Sequence, residues 1–202
     1  MDRPPTIVLL RHAQSQSNVE TAYTGQHDLD ASPQSPLSNV GVAQSYELAA
    51  AVRDLGPTIV LSSPFTRAQQ TMQSFRIDRI VNEWREYDAT QERWDAFTAR
   101  VKEALDAVQA EIQGGVYFIV THSLVISVAL EWIVCGYASS NVNETMFLSG
   151  NAAATVIQRS SPVGTRAGGW RVLAFNALGG IERQYVTGTG APTALIARPD
   201  EL

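Results

Sequence analysis

Three short apolar runs constrain this chain more than anything else in it. They are TIVLL at residues 6–10, TIVLSS at 58–63 and GGVYFIVTH at 114–122. Each is rich in β-branched residues and too continuous for a half-exposed strand, so each reads as a strand covered on both faces. Segments with helical spacing lie between them. PLSNVGVAQSYELAAAVRDLG (36–56) has Ser38 as a plausible N-cap, Leu37 and Val42 at staple spacing, and Gly56-Pro57 as a stop. SPFTRAQQTMQSF (63–75) offers Ser63 as N-cap and Pro64 at the first helical position. IDRIV (77–81) reads as a short strand. Between 91 and 112, Trp94, Phe97, Val101, Leu105, Val108 and Ile112 recur at steps of three and four. SLVISVALEWIVCG (123–136) reads as a further helix. NAAATVIQ (151–158) and WRVLAFN (170–176) read as a final strand pair joined by a Gly-rich stretch.

Strands alternating with helices predict one three-layer α/β/α domain over residues 1–202, with a mostly parallel central sheet and an antiparallel edge strand. Residues 180–202 carry Gly, Pro and Thr with weak periodicity and are expected to be an irregular C-terminal tail. Composition narrows the class further. The net charge is −5, which invites neither nucleic acid nor an anionic membrane. Cys135 is the only cysteine, so an intrachain disulfide and a cysteine metal cage are excluded. The N-terminal apolar run is too short for a signal peptide, and the longest apolar segment, 124–138, is interrupted by Glu131. The closing PDEL has no use as a retention signal without an entry signal. A cytoplasmic protein is the expectation.

In open parallel sheets, ligands bind at the carboxyl edge of the strands. The first run ends there in Arg11-His12. The second ends in Ser62-Ser63 and leads to Arg67. The run 116–120 ends in Thr121-His122-Ser123. Two histidines and two arginines from distant chain positions are thus predicted to meet at one edge, joined by helix N-termini with free N–H groups. Guanidinium forks match the oxygens of a phosphoryl group, and a neutral imidazole can attack phosphorus. A carboxylic acid is then needed to protonate the leaving oxygen.

These residues carry a family resemblance. LLRHAQSQSN resembles the Arg-His-Gly motif with trailing Asn of the histidine phosphatase superfamily, branch 1 (phosphoglycerate mutase-like). PLSNVGVAQ resembles its Leu-Thr-x-x-Gly-x-x-Gln segment, SSPFTRAQQT its Ser-x-x-x-Arg-Ala-x-x-Thr, VNEWREY the segment with the acid, and IVTHSLVI the second histidine motif. The resemblance implies His12 as phosphoryl acceptor and Glu83 as general acid and base, with Glu86 as fallback. It implies Arg11, Arg67 and His122 on the phosphate, assisted by Asn18 and Ser123, with Thr24 and Gly25 in a substrate loop. It implies a small phosphorylated substrate, no metal and no cofactor, and leaves oligomeric state open, a homo-oligomer included. The chain departs from the pattern at Ala13-Gln14, at Ser123, at the insertion DLDASPQSPL and at Tyr87 after the acid.

Plainer readings compete. His12 alone could be a satisfied core histidine, and His27 in GQHDLD reads as a surface loop residue. Asp28 and Asp30 beside it lack regular metal-ligand spacing. Trp84 and Trp94 read as packing groups. Three functions follow: a metal-independent phosphomonoesterase, a phosphomutase sharing its pocket, or a non-catalytic binder of phosphorylated ligands. Both histidines, both arginines and a candidate acid argue against the third.

Overall fold

The computed structural model describes residues 4–24, 32–75, 80–81, 94–112, 114–136, 147–160 and 169–178. Among them runs one six-stranded sheet. Its strands are β1 (Thr6–Arg11), β2 (Ile59–Ser62), β3 (Ile80–Val81), β4 (Val116–Thr121), β5 (Ala153–Arg159) and β6 (Trp170–Leu178), in the order β3-β2-β4-β1-β5-β6. Strands β3, β2, β4 and β1 are parallel. β5 runs against β1, and β6 turns back against β5. The architecture is the expected mixed α/β one, with the single reversed strand placed one position in from the edge.

The continuous apolar strands find cover on both faces, as their lack of alternation requires. Val8, Leu10, Val60, Phe118 and Val120 turn to one face. There they meet Leu48 and Val52 of α2 (Asn39–Val52) and Ala68 and Met72 of α3 (Thr66–Gln73). Ile7, Leu9, Tyr117 and Ile119 turn to the other. They meet Val101, Leu105 and Val108 of α4 (Trp94–Glu111) and Ile126 and Leu130 of α5 (Ser123–Leu130). Along β1 the side chains alternate between the two cores, the period of two that a pleated strand imposes.

A helix not anticipated from the sequence, α1 (Gln16–Thr24), follows β1 directly. Its signal is the cap. Asn18 N–H donates to Ser15 Oγ at 3.3 Å while Ser15 N–H donates to Asn18 Oδ1 at 3.1 Å, a reciprocal capping box with Asn in place of Glu or Gln. The next helix behaves as its sequence predicts. Ser38 Oγ accepts from Gly41 N–H at 3.0 Å, although Val42 stays 46% exposed and forms no buried staple with Leu37. The third helix starts later than expected. Its N-cap is Phe65 without a side-chain bond, and the Ser63 hydroxyl is drawn instead to His122 at 2.7 Å. At its far end α5 runs into a π-helical turn (Glu131–Cys135) closed by Gly136 at φ 77°. The final residues expected as an irregular tail, and the stretch joining β5 to β6 at 161–168, lie outside the described residues.

Gly41 fixes how α2 meets the loop after β1. A Cβ at this position would sit 1.9 Å from the Gln14 carbonyl oxygen. The close approach lets Ser38 N–H reach Gln14 O at 2.9 Å, Ser38 Oγ reach Gln14 Oε1 at 2.7 Å, and Gln14 N–H reach Gln44 Oε1 at 2.9 Å. The Leu37, Ser38, Gly41 and Gln44 spacing is therefore a clamp on the backbone that leaves β1. Gly41→Ala should cost about 2–3 kcal/mol of unfolding free energy, because a backbone atom rather than a mobile side chain must give way. Urea denaturation would measure it; a loss within error of zero would show that α2 can shift freely.

Candidate active site

Parallel register brings the strand ends together. Arg11 pairs with Thr121 and Ser62 with Val120. One residue further, His12 N–H donates to Thr121 O and Ser63 N–H to Val120 O, both at 2.9 Å. The sheet edge thus delivers His12, Ser63 and His122 as neighbours. Their side chains meet: the His12 and His122 ring centroids are 5.1 Å apart, and His122 Nε2 lies 2.7 Å from Ser63 Oγ.

His12 is buried and its tautomer is set by the backbone. Nδ1 lies 2.7 Å from the Ala13 carbonyl oxygen, which can only accept. Nδ1 therefore carries the proton, and Nε2 of the neutral ring keeps its lone pair. Arg67 Nε–H donates to that nitrogen at 3.2 Å. Burial, then His122, Arg11 and Arg67 in turn, hold the His12 pKa well below the ordinary imidazole value. His122 is lowered likewise, chiefly by burial, then by Arg67, Arg11 and Arg100.

The guanidinium groups come from different elements. Arg67 stands in the first turn of α3, its Nη1 donating to Ser32 O at 3.1 Å and its plane 4.8 Å from the Phe65 ring centroid. Arg11 donates from Nη1 to Ser149 O, and its buried Nε has no partner. Burial lowers both arginines to about 10, with Arg67 a further cause for Arg11. Thr71 ties this helix back to the first loop: its hydroxyl donates to Arg67 O at 2.7 Å and accepts from Ala13 N–H at 3.0 Å.

Asn18 enters through α1. Its Oδ1 accepts from Ser15 N–H and, at 3.0 Å, from Asn151 Nδ2. Ser123 turns elsewhere: its Oγ accepts from Ser149 N–H at 3.4 Å and Ser149 Oγ at 3.3 Å, so it supports the segment 147–150. The N–H groups at the start of α1, a helix outside that expectation, are engaged. Gln16 N–H goes to Pro36 O and Val19 N–H to Ser15 O, while Ser17 N–H goes to Ser35 Oγ. Thr24 closes α1, whereas Gly25, His27, Glu83 and Glu86 lie outside the described residues.

Three residues with no part in the sequence reading hold this edge from the β5 side. Ser149 accepts from Arg11, Asn151 Nδ2 donates to His12 O at 3.3 Å, and Asn176 Oδ1 accepts from Gly150 N–H at 2.7 Å. Ala152 and Asn176 adopt left-handed backbone (φ 53° and 52°), and the β5–β6 register shifts beside them. Asparagine at Gly150-Asn151 and at the end of WRVLAFN was the available signal.

Comparison with known proteins gives the family of this chain. The model of the histidine phosphatase superfamily (branch 1) matches residues 7–82 and 76–177. The chain belongs to that superfamily. A 2,3-bisphosphoglycerate-dependent phosphoglycerate mutase from Novosphingobium aromaticivorans is 34% identical over 70 residues, which span 34% of this chain and only 28% of that protein. Two solved structures share the fold. A candidate alpha-ribazole-5'-P phosphatase from Escherichia coli superposes with TM-score 0.63 at 19% identity, over 89% of this chain and all of that one. A mycobacterial glucosyl-3-phosphoglycerate phosphatase, complexed with VO3, gives TM-score 0.61 at 19% identity, over 86% of this chain and 99% of that one.

The depressed histidines have a consequence for stability. The unfolded chain protonates its histidines near pH 6.5. The folded protein does so only well below that, so the unfolded state binds more protons in between. Stability is therefore fully present above about pH 6.5 and falls as pH drops through the window beneath it. Urea denaturation in phosphate-free buffer between pH 7.5 and 5 should show this decline, and replacing His12 and His122 together by Asn should flatten it. An unchanged slope in the double variant would contradict the assignment.

Proposed function

We propose that this protein is a metal-independent phosphatase that hydrolyses small phosphomonoesters through a phosphohistidine on His12. The observation that carries the reading is the Nδ1–H to Ala13 O bond, which leaves Nε2 of a neutral, buried imidazole as a nucleophile. Arg67 Nε–H passes from Nε2 to a phosphoryl oxygen, Nε2 attacks phosphorus, the P–N bond forms and the ester P–O bond breaks. The Glu83 carboxyl gives its proton to the departing oxygen. Water then attacks the same phosphorus and loses its proton to the Glu83 carboxylate; the P–N bond breaks and phosphate leaves. Arg11, Arg67 and His122 hold the phosphoryl oxygens throughout, and Asn18 donates from its amide. Ser123 serves through Ser149. The partner is a small phosphorylated substrate, and the reading places the protein in the cytoplasm.

His12→Ala should abolish nearly all release of phosphate from p-nitrophenyl phosphate while leaving the circular dichroism spectrum unchanged. Wild-type turnover in that variant would overturn the mechanism. Activity should persist in a chelator, and vanadate should inhibit. Glu83→Gln should damage alkyl phosphates by about 10²-fold or more and aryl phosphates far less, because nitrophenolate leaves without a proton. Equal losses on both would move the acid to Glu86.

The match to a phosphoglycerate mutase over 70 residues favours a second reading, a phosphomutase. A mutase must shield its phosphorylated enzyme from water under a lid. Only seven residues, 84–90, separate Glu83 from the segment that leads into α4, and this short span supports hydrolysis. The assay supplies 3-phosphoglycerate with catalytic bisphosphoglycerate and follows both products. Isomer exchange far outrunning phosphate release would establish the mutase.

A further inference from the structure

We infer that Asn151 is a positioning residue that orients the Asn18 amide, so that Asn18 meets phosphate with its NH2 group and not with its oxygen. The inference rests on the phosphate-binding reading above. Asn151 is fully buried, just ahead of β5. Its Nδ2 reaches two acceptors, His12 O at 3.3 Å and Asn18 Oδ1 at 3.0 Å.

Side-chain amides can be placed with oxygen and nitrogen exchanged, and here the backbone removes that freedom. Ser15 N–H can only donate, so the Asn18 atom 3.1 Å from it is oxygen. The His12 carbonyl can only accept, so the Asn151 atom facing it is nitrogen. That nitrogen then also suits Asn18 Oδ1. The His12 carbonyl fixes Asn151, and Asn151 together with the Ser15 N–H fixes Asn18.

With Oδ1 engaged by Ser15 and Asn151, the end of Asn18 left to meet a ligand is the donor end. A flipped Asn18 would set its nitrogen against two donors and present a lone pair to an anion. Asn151 thereby links the backbone of the nucleophile to the orientation of a phosphate donor, through one side chain 139 residues away from His12.

Binding of inorganic phosphate, measured by calorimetry, tests this with a double-mutant cycle. Asn18→Ala should weaken phosphate about tenfold, the value of one hydrogen bond to a charged group. Asn151→Ala should weaken it by a similar factor in the wild-type background. In the Asn18→Ala background it should change binding less than about twofold, because the His12 carbonyl keeps its Ala152 N–H donor at 3.2 Å. Equal losses in both backgrounds would reveal a merely structural residue and overturn the inference. So would intact binding in Asn151→Ala, or in Asn18→Ala. No phosphate uptake by the wild type would bring down the phosphatase reading as well. Should Asn151→Ala not fold, the wild type still decides by nitrogen-15 NMR: the Asn18 NH2 resonances must move on phosphate titration, and their immobility would refute the proposal.

Discussion

Two guanidinium groups and two imidazoles are held together at the carboxyl edge of the sheet, His12 and Arg67 buried and Arg11 and His122 half-buried, and the rest of the architecture answers to that. Their proximity is unfavourable. Burial lowers all four, and neighbouring charges lower Arg11, His12 and His122 further; the fall of Arg67 from 12.5 to about 10 corresponds to roughly 3 kcal/mol against its charged form. Among the described residues no carboxylate hydrogen-bonds Arg11 or Arg67. The cluster persists because the β1–β4–β2 ladder, buried on both faces, fixes the strand ends from which His12, Ser63 and His122 project.

What could be read in advance follows from which interactions are local. Strands 6–10, 58–63 and 114–122 announce themselves through continuous apolar residues, and parallel order then brings their ends to one edge. Arg11, His12, Arg67 and His122 were legible for that reason. The first helix was not. Its composition, QSNVETAYT, has little apolar periodicity, and its start depends on a Ser-Asn capping box outside the usual Ser-x-x-Glu form. The start of α3 departs from the sequence expectation because Ser63 has a closer tertiary partner: its hydroxyl lies 2.7 Å from His122 and only 3.4 Å from Phe65 N–H, and Phe65 takes the cap. Asn151 and Asn176 escaped notice because their roles depend on contacts across the chain, and a β5–β6 register shift has no local signature.

The way the cluster is tethered bears on what it can do. Arg11 is held by Ser149 O, Arg67 by Ser32 O, and His12 by Ala13 O. All three anchors are backbone carbonyls. A carboxylate would have oriented these groups equally well, but it would also have neutralised them and competed with an incoming anion. A carbonyl dipole fixes direction and leaves the charge available. It also biases His12 toward the tautomer whose Nε2 keeps its lone pair, without adding the negative charge that would stabilise the imidazolium. The same economy appears at Asn18, where neutral amides set the donor end outward. Among the described residues, uncharged acceptors orient these groups and leave their charge unneutralised. This also explains why segment 147–152, which contributes no charged side chain, is as much a part of this edge as the strand that leads into His12.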